Sequence, residues 1–353
     1  MALMTIDHAS GVFNAGRLMT DSTFMYRPGT PLPAAQFFTR WITHLCAPTF
    51  VFLAGAVLAL SVARRETSGE RAASIDRFIV TRGLLIAVLD PVWMSPVLDP
   101  GQVLLQVLYA IGGSLVAMAW LRRLSDRWLL GAATAIIVGG EALAGLALLA
   151  SGGTPGVPAA LLVTGGQLGT LIVAYPLLPW LGIMMLGWVF GRRLATTPER
   201  DVARLLVVGG VAALVVFVVV RGANGYGNMQ LFRDDGSLVH WLHVSKYPPS
   251  LTYTMLELGL MALCLAAFFR LERVPAAVTT LQPLWLIGQT ALFYYLLHYH
   301  LLTLASWVFG GAHQGGLAVT YGATLATLTA LFPLCVWYRG YKHTHPQGWP
   351  RYV

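Results

Sequence analysis

An acid and an imidazole stand side by side near the start of the chain, at Asp7 and His8. The surrounding residues 1–10 are mostly apolar, which indicates the outer end of a membrane helix. A titratable group in hydrocarbon is costly, so these two side chains are functional candidates. The imidazole of His8 can take or give a proton near neutral pH. A polar cap where a helix meets water is the alternative that these residues leave open.

Membrane helices must position these side chains. Of the 353 residues, 56% are apolar and only 11% are charged. Apolar runs of about 20 residues recur along the chain, which is typical of polytopic membrane proteins. We predict an all-α fold, a polytopic transmembrane helical bundle of about ten helices that forms a single integral-membrane domain over residues 1–353. The three cysteines lie in apolar segments without metal-ligand spacing, so we assign them to the core and expect no metal site.

The apolar runs predict segments at 1–13, 35–63, 76–98, 101–121, 128–150, 175–195, 203–221, 249–269, 284–309 and 318–338. The first is too short to cross a bilayer core of about 30 Å at about 1.5 Å per residue. We therefore expect a first helix whose inner half is missing from this reading frame. The stretch 158–173 is apolar enough to be a further span. We interpret it as re-entrant or interfacial, because counting it would move every later basic loop outward.

The positive charges support this arrangement. Of the 23 basic residues, six lie in one set of connections and sixteen lie in the alternate connections and the C-terminal tail. The richer set is Arg64, Arg65, Arg71, Arg77, Arg122, Arg123, Arg127, Arg192, Arg193, Arg200, Arg204, Arg270, Arg273, Arg339, Lys342 and Arg351. The positive-inside rule makes this set cytoplasmic and, with ten spans, places both termini in the cytoplasm. We assign the net charge of +8 to topology and anionic lipid, and expect no nucleic-acid partner.

Further titratable side chains fall in the outer half of the predicted spans. Arg40 and His44 are four residues apart, so we expect them to share a helix face. His298 and His300 are two apart and should face different ways, so we expect only one of them to meet a cavity. In lipid, such groups should converge on a cavity or on one another. A hydrogen-bonded core histidine is the alternative for each ring.

Three carboxylates within predicted segments have structural explanations that compete with a role in chemistry. Asp90 precedes Pro91 and would cap a broken helix, whereas Glu141 and Glu257 would pair with neighbouring helices. The outer loop 222–248 combines amides, charges and aromatic rings, which suits a lid or a sugar-facing surface, with a solvated loop as the alternative. Within that loop, two prolines fix Lys246 at the mouth of the eighth segment.

Two arginines, Arg77 and Arg82, flank the cytoplasmic entry of the third segment. The guanidinium group suits phosphate because its donors form a planar fork. Topogenic positive charge is the competing explanation, and it applies more to Arg77 than to the less exposed Arg82.

Five motifs together carry a family resemblance: residues 4–10 (MTIDHAS), 44–55 (HLCAPTFVFLAG), 107–112 (VLYAIG), 179–187 (PWLGIMMLG) and 245–250 (SKYPPS). Their order and spacing resemble the bacterial membrane proteins similar to heparan-alpha-glucosaminide N-acetyltransferase, within the wider transmembrane acyltransferase superfamily. The resemblance covers nearly the whole chain. It implies transfer of an acyl group from cytoplasmic acyl-CoA to an acceptor on the far side of a bacterial cytoplasmic (inner) membrane.

The resemblance also bears on single residues. His8 stands where related O-acyltransferases have a first-helix histidine, and where the heparan enzyme has an asparagine. The histidine of the heparan enzyme would fall near Met19, so the acceptor chemistry here need not match that enzyme. His298 matches a family histidine of the penultimate helix. The start that resembles Leu-Asp-x-Leu-Arg-Gly in the family is absent here, which is consistent with a start codon placed too late or a truncated product.

We therefore expect a membrane-embedded acyltransferase. His8 would deprotonate a hydroxyl or amine of a sugar-like acceptor, with Asp7 orienting it and with His44 and His298 in the same catalytic site. A covalent acyl-histidine is the variant. The further assignments are substrate binding for Arg40, Lys246, Glu257 and His300, and binding of the acyl-CoA phosphates for Arg82 and Arg77. The expected partners are the lipid bilayer, acyl-CoA (acetyl-CoA first) and a sugar or glycan acceptor, with a homodimer left open.

Two other classes of protein fit part of this pattern. A multi-pass transporter or lipid-linked-sugar flippase would also have titratable groups in its membrane interior and broken helices. The inverted repeat expected of that class is not apparent in the sequence. A non-catalytic membrane scaffold would tolerate the loss of His8 and His298 together.

Overall fold

The computed structural model describes residues 1–345, 348 and 352, so the predicted cytoplasmic Arg351 lies outside the described residues. The α-helices are α1 (Ala2–Phe13), α2 (Ala34–Trp41), α3 (Cys46–Thr67), α4 (Ala72–Leu89), α5 (Ser95–Leu98), α6 (Val107–Leu121), α7 (Asp126–Ala150), α8 (Val157–Ala159), α9 (Leu177–Thr196), α10 (Glu199–Ala223), α11 (Leu238–Leu242), α12 (Leu251–Leu271), α13 (Pro275–Gln289), α14 (Ala291–Phe309) and α15 (Leu317–Thr344). A 3-10 turn occupies Ile42–Leu45, and π-helical turns occupy Asp90–Met94 and Ala160–Thr164.

Six helical stretches of the described residues are long and apolar enough to cross a membrane: Ala34–Thr67, Asp126–Ala150, Glu199–Ala223, Leu251–Leu271, Ala291–Phe309 and Leu317–Thr344. The protein is therefore a mostly helical, multi-pass membrane protein whose surroundings include a lipid bilayer, as predicted. The count of about ten spans and the cytoplasmic position of both termini stay predictions.

The fold also contains a small sheet, which the all-α prediction lacks. Strands β1 (Val103–Leu105), β2 (Gly166–Leu168) and β3 (Leu171–Val173) are ordered β1-β3-β2, with β1 parallel and β2 antiparallel to β3. The stretch 158–173, interpreted above as re-entrant or interfacial, thus forms short helical turns and a hairpin instead of a helical span.

Two predicted segments are interrupted. The ninth, 284–309, is two helices, because the backbone leaves the helical region at Thr290, between α13 and α14. His298 therefore lies about 10 Å from the start of its own helix at about 1.5 Å per residue, about half of the distance that one continuous helix from position 284 would give. The third segment, 76–98, starts earlier, at Ala72, and changes from α4 to a π turn at Asp90.

The chain divides into two compact units. The first unit comprises Met1–Met19, Pro31–Cys46 and Phe268–Val353, and the second comprises Thr20–Thr30 and Ala47–Ala267. The prediction of one domain over residues 1–353 stays a prediction.

In the first unit, α1 packs against α14, α15 and the 3-10 turn. Its C-terminal end is held by backbone hydrogen bonds to the loop before α15, since the N–H of Gly315 donates to Phe13 O at 2.8 Å and that of His313 donates to Val12 O at 2.9 Å. The Asn14 amide donates to Ser10 Oγ at 3.1 Å and to Gln36 Oε1 at 2.8 Å, which ties the same end to α2. These contacts fix the helix that carries Asp7 and His8.

In the second unit, glycines allow helices to approach closely. A Cβ at Gly187 of α9 would overlap the carbonyl oxygen of Phe52 in α3, and a Cβ at Gly55 of α3 would overlap that of Met184 in α9. Close approach through small residues is the usual way in which membrane helices gain packing contacts without a hydrophobic driving force.

Two acidic side chains of the second unit, buried Asp90 and half-buried Glu141, hold backbone N–H groups. The Asp90 carboxylate accepts hydrogen bonds from the N–H groups of Gln106 (2.8 Å) and Tyr109 (2.7 Å), so it caps the N-terminus of α6. Glu141 accepts from the N–H groups of Gly227 (2.6 Å) and Met229 (3.0 Å) in the outer loop. Asp90 therefore caps a different helix from its own, and Glu141 binds a loop where a helix partner was expected.

The outer loop 222–248 is anchored by Arg221, a fully buried residue at the end of α10. Its guanidinium donates to Asn228 Oδ1 at 2.7 Å and to the carbonyl oxygens of Leu231 (2.8 Å), His240 (2.7 Å) and Trp241 (3.1 Å), as well as to that of His243. A guanidinium has five N–H donors in fixed directions, so one side chain can hold several turns of irregular backbone.

Candidate functional site

Helix α1 presents Asp7 and His8 to different neighbours. Adjacent residues of an α-helix differ in direction by about 100°, because one turn takes about 3.6 residues. The Asp7 carboxylate consequently meets Arg40 of α2 and Arg17 of the following loop, whereas the His8 ring meets α14.

The rings of His8 and His298 are in direct contact. The His8 Nδ1 and His298 Nε2 atoms are 2.5 Å apart, within hydrogen-bonding distance, although the residues are 290 positions apart in the sequence. The ring centroids are 4.8 Å apart with an interplanar angle of 16°. His298 is fully buried and His8 is half-buried, so His8 is the more exposed member of the pair.

Backbone carbonyls fix the orientation of the His298 ring. Its Nδ1 lies 2.7 Å from the carbonyl oxygen of Tyr295 and 3.2 Å from that of Tyr294, one turn earlier in α14. A carbonyl oxygen only accepts hydrogen bonds, so Nδ1 of His298 carries a hydrogen in this arrangement. The rings of Tyr295 and Tyr299 meet the His8 ring edge-on, with centroids 6.2 and 5.3 Å away.

A second contact between α1 and α14 sets their register. The hydroxyl of Thr5 donates to Met1 O at 3.1 Å, so the Tyr294 hydroxyl, 2.8 Å from Thr5 Oγ1, is the donor in that buried pair. Thr5 precedes His8 by three residues and Tyr294 precedes His298 by four, so each residue lies about one turn from a member of the histidine pair. The two contacts together align the rings.

Asp7 forms an ion cluster with two arginines. Its carboxylate is 3.0 Å from Arg17 Nη2 and also pairs with Arg40 Nη1, and Arg17 additionally donates to the Asp7 carbonyl oxygen. All three side chains are largely buried, with exposed fractions of 13% for Asp7, 6% for Arg40 and 16% for Arg17. The Asp7 carboxylate thus contacts Arg17 and Arg40, and its predicted role in orienting the His8 ring stays a prediction.

The other predicted residues of the first unit lie on neighbouring elements. His44 is 2% exposed and lies in the 3-10 turn against which α1 packs. A 3-10 turn follows the α-helix after Trp41, between Arg40 and His44, and the expectation that the two side chains share one face stays a prediction. His300 is half-buried on α14, and its direction differs from that of His298, as their two-residue spacing predicts.

Lys246 and Glu257 both belong to the second unit and are buried, with exposed fractions of 3% and 1%. The Glu257 Oε1 atom has no hydrogen-bond partner among the described residues, and the Lys246 charge is near enough to act on this carboxyl. Lys246 Nζ lies 5.1 Å from the ring centroid of Tyr247. Both are buried polar groups of the second unit, and their binding role stays a prediction.

The two arginines of α4 differ in their surroundings. Arg77 is exposed, whereas Arg82 is half-buried and its Nε has no hydrogen-bond partner among the described residues. Because α4 begins at Ala72, Arg82 lies about 15 Å along it at about 1.5 Å per residue, deeper than expected. The Arg65 guanidinium is close enough to repel that of Arg82. A positive site of this kind is suited to an anion.

The sequence reasoning missed the contacts around the pair. Tyr294 and Tyr295 supply the carbonyls that orient His298, and Thr5 supplies the register. The i, i+3 and i, i+4 spacing of these tyrosines relative to His298 was a signal that could have found them, since such residues share one helix face. The pairing of Arg17 with Asp7 has no local sequence signal.

These features define a class: a multi-pass membrane protein in which a partly buried histidine pair joins two helices of one compact unit. The model of one family, described as heparan-alpha-glucosaminide N-acetyltransferase, catalytic, matches residues 17–221, more than half of the chain. The chain belongs to this family, which confirms the resemblance and indicates a membrane acetyltransferase. No curated protein matches the chain significantly.

The family match covers only some of the candidate residues. Inside its bounds lie Arg40, His44, Arg77 and Arg82, and outside them lie Asp7, His8, Lys246, Glu257, His298 and His300. The contacts of the histidine pair are therefore independent of the family match.

Proposed function

We propose that this protein is a membrane-embedded acyltransferase of a bacterial cytoplasmic membrane. It moves an acyl group, with acetyl as the first candidate, from cytoplasmic acyl-CoA to an acceptor on the outer side. The acceptor is a hydroxyl or amine of a sugar-like molecule. The observation that carries the proposal is the His8–His298 contact in a chain of this family. A neutral imidazole whose position is fixed by a second ring is suited to general-base catalysis.

The proposed reaction is balanced without any further reactant. The acceptor oxygen or nitrogen attacks the thioester carbon and forms the new C–O or C–N bond as the C–S bond breaks. His8 takes the proton that the acceptor loses and returns it to the sulfur of the departing CoA. An acyl-histidine intermediate on His8 is the variant, in which the acyl group passes through the ring before it reaches the acceptor.

The remaining candidates have binding roles in this proposal. Arg82 and Arg77 bind donor phosphates, which a guanidinium recognises with a fork of N–H groups. Lys246 offers a positive group and Glu257 a carboxyl group to acceptor hydroxyls or amines. Arg40 and His300 bind the acceptor as well, whereas His44 belongs to the catalytic site with His8.

Labelling separates the enzyme from a transporter. Protein in lipid nanodiscs is incubated with acetyl-CoA labelled in the acetyl group and with a panel of amino sugars and neutral sugars. The proposal expects labelled acceptor and free CoA thiol in equal amounts. Uptake of a sugar by proteoliposomes in the absence of CoA, with no labelled product from any acceptor, would reject the proposal in favour of transport.

A further inference from the structure

We propose that His298 is a positioning residue that places the proton of neutral His8 on Nδ1 and so makes Nε2 of His8 the atom that receives the acceptor's proton. This inference rests on the proposed function for its chemical meaning. Its geometric content stands on the contacts of the two rings and is tested separately.

The first step concerns His298 alone. Its Nδ1 donates to the carbonyl oxygens of Tyr295 and Tyr294, at 2.7 and 3.2 Å. The ring is fully buried, and a neutral ring costs least in a site away from water. A neutral imidazole has one N–H and one lone pair, so Nε2 of His298 is an acceptor.

The second step passes this constraint to His8. His298 Nε2 is 2.5 Å from His8 Nδ1, and a hydrogen bond between two nitrogens needs one donor and one acceptor. Since His298 Nε2 accepts, His8 Nδ1 carries the hydrogen. The remaining ring nitrogen of neutral His8, Nε2, then holds the lone pair.

The third step is chemical. When His8 Nε2 takes a proton from the acceptor, the ring becomes an imidazolium whose Nδ1–H still donates to His298. That hydrogen bond strengthens as charge develops, because the donor becomes cationic. The tyrosine carbonyls then stabilise the pair through the second ring. In serine hydrolases a carboxylate orients and stabilises the catalytic histidine in a comparable way, whereas here a neutral ring would do so.

The choice between His298 and Asp7 as the partner of His8 follows from the contacts. The Asp7 carboxylate is engaged by two guanidiniums, and its direction on α1 is about 100° away from that of His8. The proton position on His8 is therefore set by α14. The effect of a His298 substitution on turnover should depend on whether the new side chain can accept a hydrogen bond from the Nδ1–H group of His8.

The direct test is nitrogen NMR of ¹⁵N-histidine-labelled protein in lipid bilayers, with the His8 and His298 signals assigned by their loss in His8→Gln and His298→Gln. The expected result is a protonated Nδ1 and an unprotonated Nε2 on His8, and a scalar coupling across the hydrogen bond between His8 Nδ1 and His298 Nε2. A resting His8 protonated on Nε2 would overturn the inference. In His298→Phe, the His8 proton should move to Nε2 in most molecules.

Kinetics provide a second readout. His298→Phe should lower kcat for acetyl transfer about 100-fold and leave the KM for acetyl-CoA unchanged, because only the proton position is lost. In His298→Gln the amide oxygen, as far from Cβ as Nε2, can accept from His8 Nδ1, so this variant should recover at least 10-fold of that loss. Equal kcat values for both variants would overturn the positioning role. Transfer that is unchanged in His8→Ala, with the NMR result intact, would instead contradict the proposed function.

Discussion

Neighbouring residues of α1 have separate roles because of the turn of the helix between them. Asp7 joins α1 to Arg17 and Arg40, and His8 joins it to His298. The ion cluster is largely buried. Removing the Asp7 carboxylate would leave the positive charges of Arg17 and Arg40 buried without a negative partner, which is costly. Asp7 is thus a structural residue of the site in this account.

The substitution Asp7→Asn tests that role. We expect it to lower the free energy of unfolding by about 3 kcal/mol, because two largely buried guanidiniums lose their carboxylate. The measurement is thermal unfolding in nanodiscs, with the exposed Asp201→Asn in α10 as a matched control that should lower Tm far less, because a first-turn carboxylate contributes only about 0.3–1 kcal/mol. Equal Tm values for the two variants would show that the cluster contributes nothing to stability.

The candidate histidines were predictable from the sequence, but their pairing was not. His8 and His298 stand out as titratable groups in apolar segments, and depth along each segment suggested a common leaflet. Their contact depends on the packing of α1 against α14, over a separation of 290 residues, and on the break at Thr290 that shortens the helix carrying His298. Neither leaves a pattern in the local sequence, since the apolar run continues through Thr290.

At the scale of elements, the second unit depends on helices that touch backbone to backbone. Gly55 and Gly187 lie where α3 and α9 approach each other, and each faces a carbonyl oxygen of the opposite helix. Gly139 of α7, by contrast, has open space where a Cβ would lie. The sequence alone could not show which helix would be the packing partner of Gly187.

Substitution by alanine should have opposite effects on stability at Gly187 and at Gly139. Gly187→Ala should destabilise the protein by about 2–3 kcal/mol, because the new methyl group pushes against the Phe52 carbonyl and the helices must separate. Gly139→Ala should leave Tm unchanged or raise it, since alanine favours a helix over glycine by up to about 1 kcal/mol. Thermal unfolding of both variants in nanodiscs is the measurement. A Gly187→Ala protein as stable as wild type would contradict the close approach of α3 and α9.

The outer loop provides a pH-dependent element. The Nε2–H of His243 donates to Thr20 O at 2.8 Å, and burial lowers the pKa of this imidazole to about 4. The ring of Tyr26 packs edge-on against it at 4.6 Å, and the Tyr26 hydroxyl, whose pKa burial raises to about 12, donates to Asp234. The segment 20–30 is thereby fastened to the loop 222–248, with His243 in its neutral form.

Protonation of His243 should loosen this loop. Its folded-state pKa of about 4 lies below the ordinary value of 6.5, so its contribution to stability is complete above pH 6.5 and is lost as the pH falls toward 4. The pKa shift of His243 corresponds to a contribution of about 3 kcal/mol to the free energy of unfolding at neutral pH. Gln keeps an N–H donor but does not titrate, so Tm of wild type should fall more steeply from pH 7 to pH 5 than Tm of His243→Gln. Parallel curves would contradict the pKa shift.

At the scale of the whole molecule, the sequence predicted the class correctly because apolar runs and basic loops report directly on helical membrane spans. The small sheet escaped prediction, because β1 and β3 pair across α6 and α7 and each strand has only three residues. The sidedness of the termini depends on the total number of spans, so it stays a prediction that accessibility labelling of single-cysteine variants would resolve.

The molecule as a whole is, in our account, an acetyltransferase that depends on one imidazole. The most direct measurement is the rate of acetyl transfer from acetyl-CoA by His8→Ala in nanodiscs, beside wild type and the exposed His345→Ala. The account predicts that His8→Ala loses at least about 100-fold in kcat while Tm is retained, and that His345→Ala behaves as wild type. Transfer by His8→Ala at the wild-type rate would contradict it.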